Sequence, residues 1–184
     1  MPRIDIPSGE EAGPHAWSRL APEITAAARG YSTAVYAHSQ LALREMEGMR
    51  ARIAEINGCQ ACGRWRAARD LPTYLERFGE TPDSRLIDDG GDAPDEAFYA
   101  AVSQWRTSAL FSGRERLAIE FGERMALDHR SLEDDERFWE RLHAVFSDAD
   151  LVDMAFSAGA YIAFGRINRV LDIDGACRIP AAAA

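Results

Sequence analysis

Long apolar runs are missing from this 184-residue chain. The longest, Met154 to Gly165, holds about 12 residues between Asp153 and Arg166, short of the roughly 20 that a membrane-spanning helix requires. No membrane partner is expected. Cysteine is also scarce: three residues, an odd number, with two of them in one motif. A chain of this length buries enough surface to fold without disulfide staples, so such usage points to a reducing compartment. The opening residues, Met1 to Pro7, lack the apolar core and basic leader of a signal peptide, and a cytoplasmic protein is expected. Positive charge is in deficit, with a net charge of -9 and no basic stripe interleaved with aromatics, which excludes nucleic acid as an expected partner. Sustained period-two alternation is absent as well, so strands are not expected. The reading is an all-α chain of about seven or eight helices.

What the chain does have is helical spacing and punctuation. Pro2, Pro7, Gly9, Gly13 and Pro14 mark residues 1–14 as an extended arm. Helices are expected at about 17–28 and 31–39, split by Gly30, and at about 41–57, where Met46, Met49, Ile53 and Ile56 recur on one face. A further helix should start at the cysteines and end near Pro72, followed by a short one around 73–78. Residues 79–94, rich in Asp, Gly and Pro, read as a surface linker that buries little. Helical spacing resumes at 95–108. Ser112 and Glu115 form a capping box for a helix to about Leu127, and Ser131 and Ser147 are candidate caps for helices at about 134–145 and 148–171. The acidic run Glu133 to Glu136 suits a solvated helix start. In the last helix Ala155, Ala158, Gly159 and Ala163 would let another backbone approach closely. A weak internal similarity relates Arg44-Glu45 to Arg114-Glu115.

The stretch with chemistry in it is Asn57-Gly58-Cys59-Gln60-Ala61-Cys62, continuing to Arg66. Gly58 should close the preceding helix in the left-handed conformation. On a continuous following helix Cys59, Cys62 and Arg66 would share one face, with Cys62 in the first turn near the positive end of the dipole. That setting favours a thiolate. The i, i+3 spacing also brings the two α-carbons within disulfide range. The same pair can instead hold zinc, although His15, His38, His129 and His143 stand without metal-like spacing, or can serve as two small buried hydrophobes. Glu47 reads, by spacing alone, as a surface partner of Arg44 or Arg50. Trp65 reads as core or pocket wall, His38 as a packing residue and Cys177 as a free thiol in a tail.

The spacing of Glu47, Cys59 and Cys62, together with Asn57-Gly58, resembles the carboxymuconolactone decarboxylase and alkyl hydroperoxidase D-like family. So do Phe111 to Arg116, Phe146 to Asp153 and Asn168-Arg169, and the resemblance spans about residues 20–174. The chain departs from the family's redox motif at position 66, where arginine replaces histidine.

The resemblance implies an orthogonal multi-helical domain at 15–176, with an arm at 1–14 and a tail at 177–184, assembling into a homo-oligomer (dimer, trimer or hexamer). It implies a cofactor-free, metal-free peroxidase or disulfide oxidoreductase of peroxiredoxin type. A hydroperoxide would be the substrate and a lipoamide- or thioredoxin-like dithiol the electron donor. Cys62 would be the attacking thiol, Cys59 the resolving thiol and Glu47 part of the relay. Arg66 can hold a thiolate by charge but cannot accept its proton as histidine does. Two other activities fit the same fold: a redox sensor or scaffold without turnover, and a cofactor-free decarboxylase-like enzyme, which would need an acid-base histidine.

Overall fold

The apolar spacing of Met46, Met49 and Ile53 builds the helix against which the rest of the chain packs. In the computed structural model, residues 1–79, 84–88 and 90–173 are described. The helices are α1 (Ala12–Ser18), α2 (Pro22–His38), α3 (Leu43–Asn57), α4 (Gln60–Arg64), α5 (Ala67–Arg77), α6 (Arg85–Asp88), α7 (Glu96–Ala101), α8 (Gly113–Leu127), α9 (Arg130–Glu133), α10 (Glu136–His143) and α11 (Asp148–Val170), with a 3-10 turn at Val102–Gln104. The described residues contain no strand, as the absence of alternation implied. None of these helices is long and apolar enough to cross a membrane.

Helices α3 and α8 form the centre, and α11 lies against both. The weak internal similarity has a structural counterpart here. Arg44 of α3 pairs with Glu115 of α8 at 2.5 Å, and Arg114 of α8 pairs with Glu45 of α3 at 2.6 Å. Each arginine also lies over a phenylalanine, Arg44 on Phe98 and Arg114 on Phe146. Each glutamate accepts from a backbone N–H before its own helix, Glu45 from Ala42 and Glu115 from Ser112. The two helix starts are thus locked reciprocally. Between them Gly122 allows close approach, because a Cβ there would stand 2.5 Å from Met49 Cγ. Gly122→Ala is therefore expected to cost roughly 1–3 kcal/mol by overpacking, read as a drop in thermal midpoint with the helical spectrum retained.

Several boundaries differ from the sequence reading. Gly30 lies within α2, whose buried Val35 and Tyr36 anchor one uninterrupted helix despite the local cost of glycine. Pro72 lies inside α5, where Ala67, Leu71 and Leu75 bury one face at i, i+4 and i+8 and outweigh the lost backbone bond. Asp135, not Ser131, caps α10, through Phe138 N–H. The 79–94 segment is not wholly superficial, since Leu86 is buried and Gly90 C=O accepts from Leu43 N–H at 2.8 Å. The N-terminal arm packs on its own chain, with Arg3 N–H donating to Leu171 C=O at 2.9 Å and the Met1 amino group paired with Asp172. Cys177 and the 177–184 tail lie outside the described residues.

The last helix divides its small residues between two surroundings. Ala158 and Ala160 are buried within the chain, whereas Ala163 is exposed. On that exposed side Val152, Phe156, Ile167 and Val170 recur at helical spacing, with Phe156 63% exposed.

Candidate active site

Gly58 ends α3 with φ of 65°, and the Cys59 N–H folds back to Ala54 C=O at 3.1 Å. The turn is tied to α11 through Asn57, whose side-chain amide donates to Tyr161 C=O at 3.0 Å and whose Oδ1 accepts from Arg166 at 3.1 Å. Cys59 is the cap of α4, its sulfur accepting from Cys62 N–H at 3.3 Å. The two cysteines are joined in a disulfide, with an α-carbon separation of 5.3 Å. Cys59 is 2% exposed and Cys62 is half-buried, so a small molecule from solvent meets Cys62 first.

The helix that starts at the cysteines is shorter than the spacing suggested. It stops at Arg64, and Trp65 and Arg66 are extended before α5 begins. Arg66 therefore leaves the face it was expected to share with the cysteines. Its guanidinium forks onto Glu96 with two bonds of 2.8 Å, lies 3.8 Å from the centre of the Tyr99 ring, and donates to Gly63 C=O and Trp65 C=O. The pull comes from Glu96 and Tyr99 on α7, residues thirty or more positions away that local spacing cannot reveal.

Glu47 is a partner of Arg50, but not at the surface. It is 0% exposed and Arg50 is 3% exposed. The carboxylate accepts from Arg50, from the Tyr99 hydroxyl and from Ala67 N–H. Three different groups thus converge on its two oxygens. Arg50 in turn donates to Cys62 C=O at 2.5 Å and to Trp65 C=O at 2.9 Å. Sequence spacing had allowed the Glu47–Arg50 contact; its burial and its link to the cysteine helix were invisible there.

Aromatic residues close the other side. Trp65 packs with Tyr36 and Tyr74, and Tyr36 with Tyr161. The Tyr36 and Tyr161 hydroxyls are both pushed upward, chiefly by burial, with Glu47 adding to the effect and Arg50 opposing it. The Tyr99 hydroxyl is likewise raised by burial and by Glu47. These phenols stay protonated at neutral pH. Each of the Tyr36 and Tyr161 hydroxyls perturbs the other, yet Tyr161 Oη and Trp65 Nε1 are buried without an aligned hydrogen-bond partner among the described residues. No histidine takes the place of Arg66: His15 bonds Glu10, His143 faces Asp148, and His38 and His129 are exposed.

The same architecture has been seen in a solved structure. A crystal structure of a protein of unknown function from Agrobacterium tumefaciens, described there as a candidate antioxidant defence protein AhpD, superposes with a TM-score of 0.62 over 94% of this chain and 96% of that one, at 21% identity. The fold is AhpD-like. No family model matches the sequence. The uncharacterised protein YnjA of Escherichia coli K12 is 38% identical over 82 residues, a segment that spans 44% of this chain and 44% of that one. On this AhpD-like scaffold the cysteine pair is the one place among the described residues where a disulfide, a buried ion pair and an aromatic wall meet.

Proposed function

We propose that the chain is a thiol-dependent peroxidase that cycles the Cys59–Cys62 pair between dithiol and disulfide, with hydroperoxides as oxidant and a lipoamide- or thioredoxin-like dithiol as reductant. The observation that carries the reading is the closed disulfide with one sulfur buried and the other half-buried at the start of α4. The antioxidant description of the structural neighbour supports it. In the cycle the Cys62 thiolate attacks one oxygen of the hydroperoxide; an S–O bond forms, the O–O bond breaks and the alkoxide leaves, taking a proton from solvent at the exposed side. Cys59 then attacks the Cys62 sulfenic acid; the S–S bond forms and water departs. The dithiol donor reopens the disulfide by exchange, returning two electrons and two protons. Glu47 acts in this reading as the anchor of Arg50 rather than as the proton source, since its oxygens are engaged by donors. Arg66 serves to end the cysteine helix.

The direct check is a single-turnover reaction. Pre-reduced protein given one equivalent of hydrogen peroxide should lose two thiols per peroxide and two mass units within the Cys59–Cys62 peptide; survival of both thiols under these conditions would refute the reading.

Self-association belongs to the same proposal. The stripe of Val152, Phe156, Ile167 and Val170 runs along a helix of 23 residues, about 34 Å long, and its occupant is taken to be a second copy of the chain. Light scattering at micromolar concentration should give a mass above that of the monomer, and Phe156→Glu should lower it; a wild-type monomer would remove this part of the proposal.

A further inference from the structure

A helix of five residues leaves most of its carbonyls without internal partners. In α4 these carbonyls are met by guanidinium groups. Cys62 C=O accepts from Arg50, Gly63 C=O from Arg66 at 2.8 Å, Arg64 C=O from Arg69 at 2.9 Å, and Trp65 C=O from both Arg50 and Arg66. Each guanidinium has its own carboxylate: Glu47 for Arg50, Glu96 for Arg66 and Asp70 for Arg69. Every one of the chain's 21 basic residues is arginine, so each cation carries the flat, several-donor fork that such bridging needs.

The three arginines are not equivalent. Arg69 is exposed, and Arg66, itself mostly covered, pairs with an exposed Glu96, so water reaches one member of each pair and screens it. Arg50 is buried. Burial is the largest single influence and opposes its charge, but Glu47, by its charge and its hydrogen bond, together with Tyr36 and Tyr161 holds the guanidinium protonated. Its Nη1 sits on the carbonyl of Cys62 itself, which places the charge within the span of one residue from the reacting sulfur. Glu47 bonds nothing in α4; its other partners are Ala67 N–H and Tyr99 on the far side, so the pair turns its positive end toward Cys62.

We propose that Arg50, oriented by Glu47, is the positioning residue that sets the ionisation of Cys62 in the reduced protein, and that Arg66 and Arg69 only fix the end of the helix. The inference rests on reading the pair as reactive thiols. Among the described residues, the buried phenols around the turn do not compete for the titration. Tyr36 on α2, Tyr161 on α11 and Tyr99 on α7 are all raised by burial and remain neutral where thiols ionise. Glu96 is lowered by its bonds to Arg66 and stays charged; Asp70 pairs with Arg69, and the other arginines near the turn are Arg64 on Gln60, Arg166 on Asn57 and Arg169 beside Gly58.

The test is the pH dependence of iodoacetamide alkylation of the reduced full chain, read by mass spectrometry on the Cys62 peptide in a Cys59→Ser background. The starting protein should titrate below the ordinary thiol value of about 8.5. Arg50→Met should raise the midpoint by about one unit, a roughly tenfold loss of alkylation rate on the acid side, and Arg50→Lys should restore most of it. Arg66→Met and Arg69→Met should move it by less than about 0.3 unit. If Arg50→Met does not fold, the double variant Glu47→Gln/Arg50→Met removes both buried charges together, and a smaller rise in the same direction is expected because no unpaired carboxylate is left behind. An unmoved midpoint in either Arg50 variant, or an equal shift in Arg66→Met, overturns the inference. Neither peroxide nor donor enters this measurement, so it fails or succeeds apart from the peroxidase reading.

Discussion

Replacing Cys62 with serine is expected to abolish peroxide turnover, with a loss of roughly a thousandfold or more, because it removes the nucleophile itself rather than a group that assists it. Cys59→Ser should behave differently. Cys62 can still attack, but the sulfenic acid finds no neighbouring sulfur, so one peroxide is consumed and the oxidised Cys62 is trapped by dimedone. The asymmetry follows from the positions of the two sulfurs. Cys59 is buried as the cap of α4, whereas Cys62 is half-buried and open to solvent on one side. Burst size and dimedone labelling of the two variants check the assignment, and a full burst in Cys62→Ser would reverse the roles.

Glu47→Ala carries the largest expected cost in stability. The carboxylate is 0% exposed and accepts from Arg50, Tyr99 and Ala67 N–H, so its loss strands a buried guanidinium and leaves a hydroxyl and an amide unpaired. Breaking one side of a buried pair typically costs about 3–5 kcal/mol. For a chain of this size that corresponds to a fall of roughly 10 °C in thermal midpoint. Removing both charges should be milder, since a neutral pair of similar shape avoids the desolvated cation. Thermal unfolding of Glu47→Ala beside Glu47→Gln/Arg50→Met measures this directly: the double variant should be the more stable of the two.

Much of the fold was legible in the sequence because its signals are local. The capping boxes at Ser112 and Ser147 start α8 and α11 where the residues indicate, and Gly58 ends α3 in the left-handed region. The misplaced boundaries are those where distant burial overrides a local preference, as with Pro72 inside α5 and Gly30 inside α2. At the site, the i, i+3 spacing of Cys59 and Cys62 put the two α-carbons within disulfide range, and the structure joins them. The surroundings did not follow from spacing. Arg66 is drawn to Glu96 and Tyr99 on α7, and Arg50 takes the place beside Cys62 because Glu47 holds it in the core. The reciprocal pairs of Arg44 with Glu115 and Arg114 with Glu45 were present in the sequence only as a faint repeat.

Whether the cysteine pair cycles is decided by multiple turnover. Hydroperoxide consumption by the wild-type protein should be followed with dihydrolipoamide and a thioredoxin-type dithiol as donors, with substrate in large excess. A cycling pair should sustain the loss of many equivalents of peroxide per chain, with one dithiol oxidised for each peroxide reduced. Consumption that stops after a single equivalent with every donor would contradict cycling and leave the pair as a redox sensor.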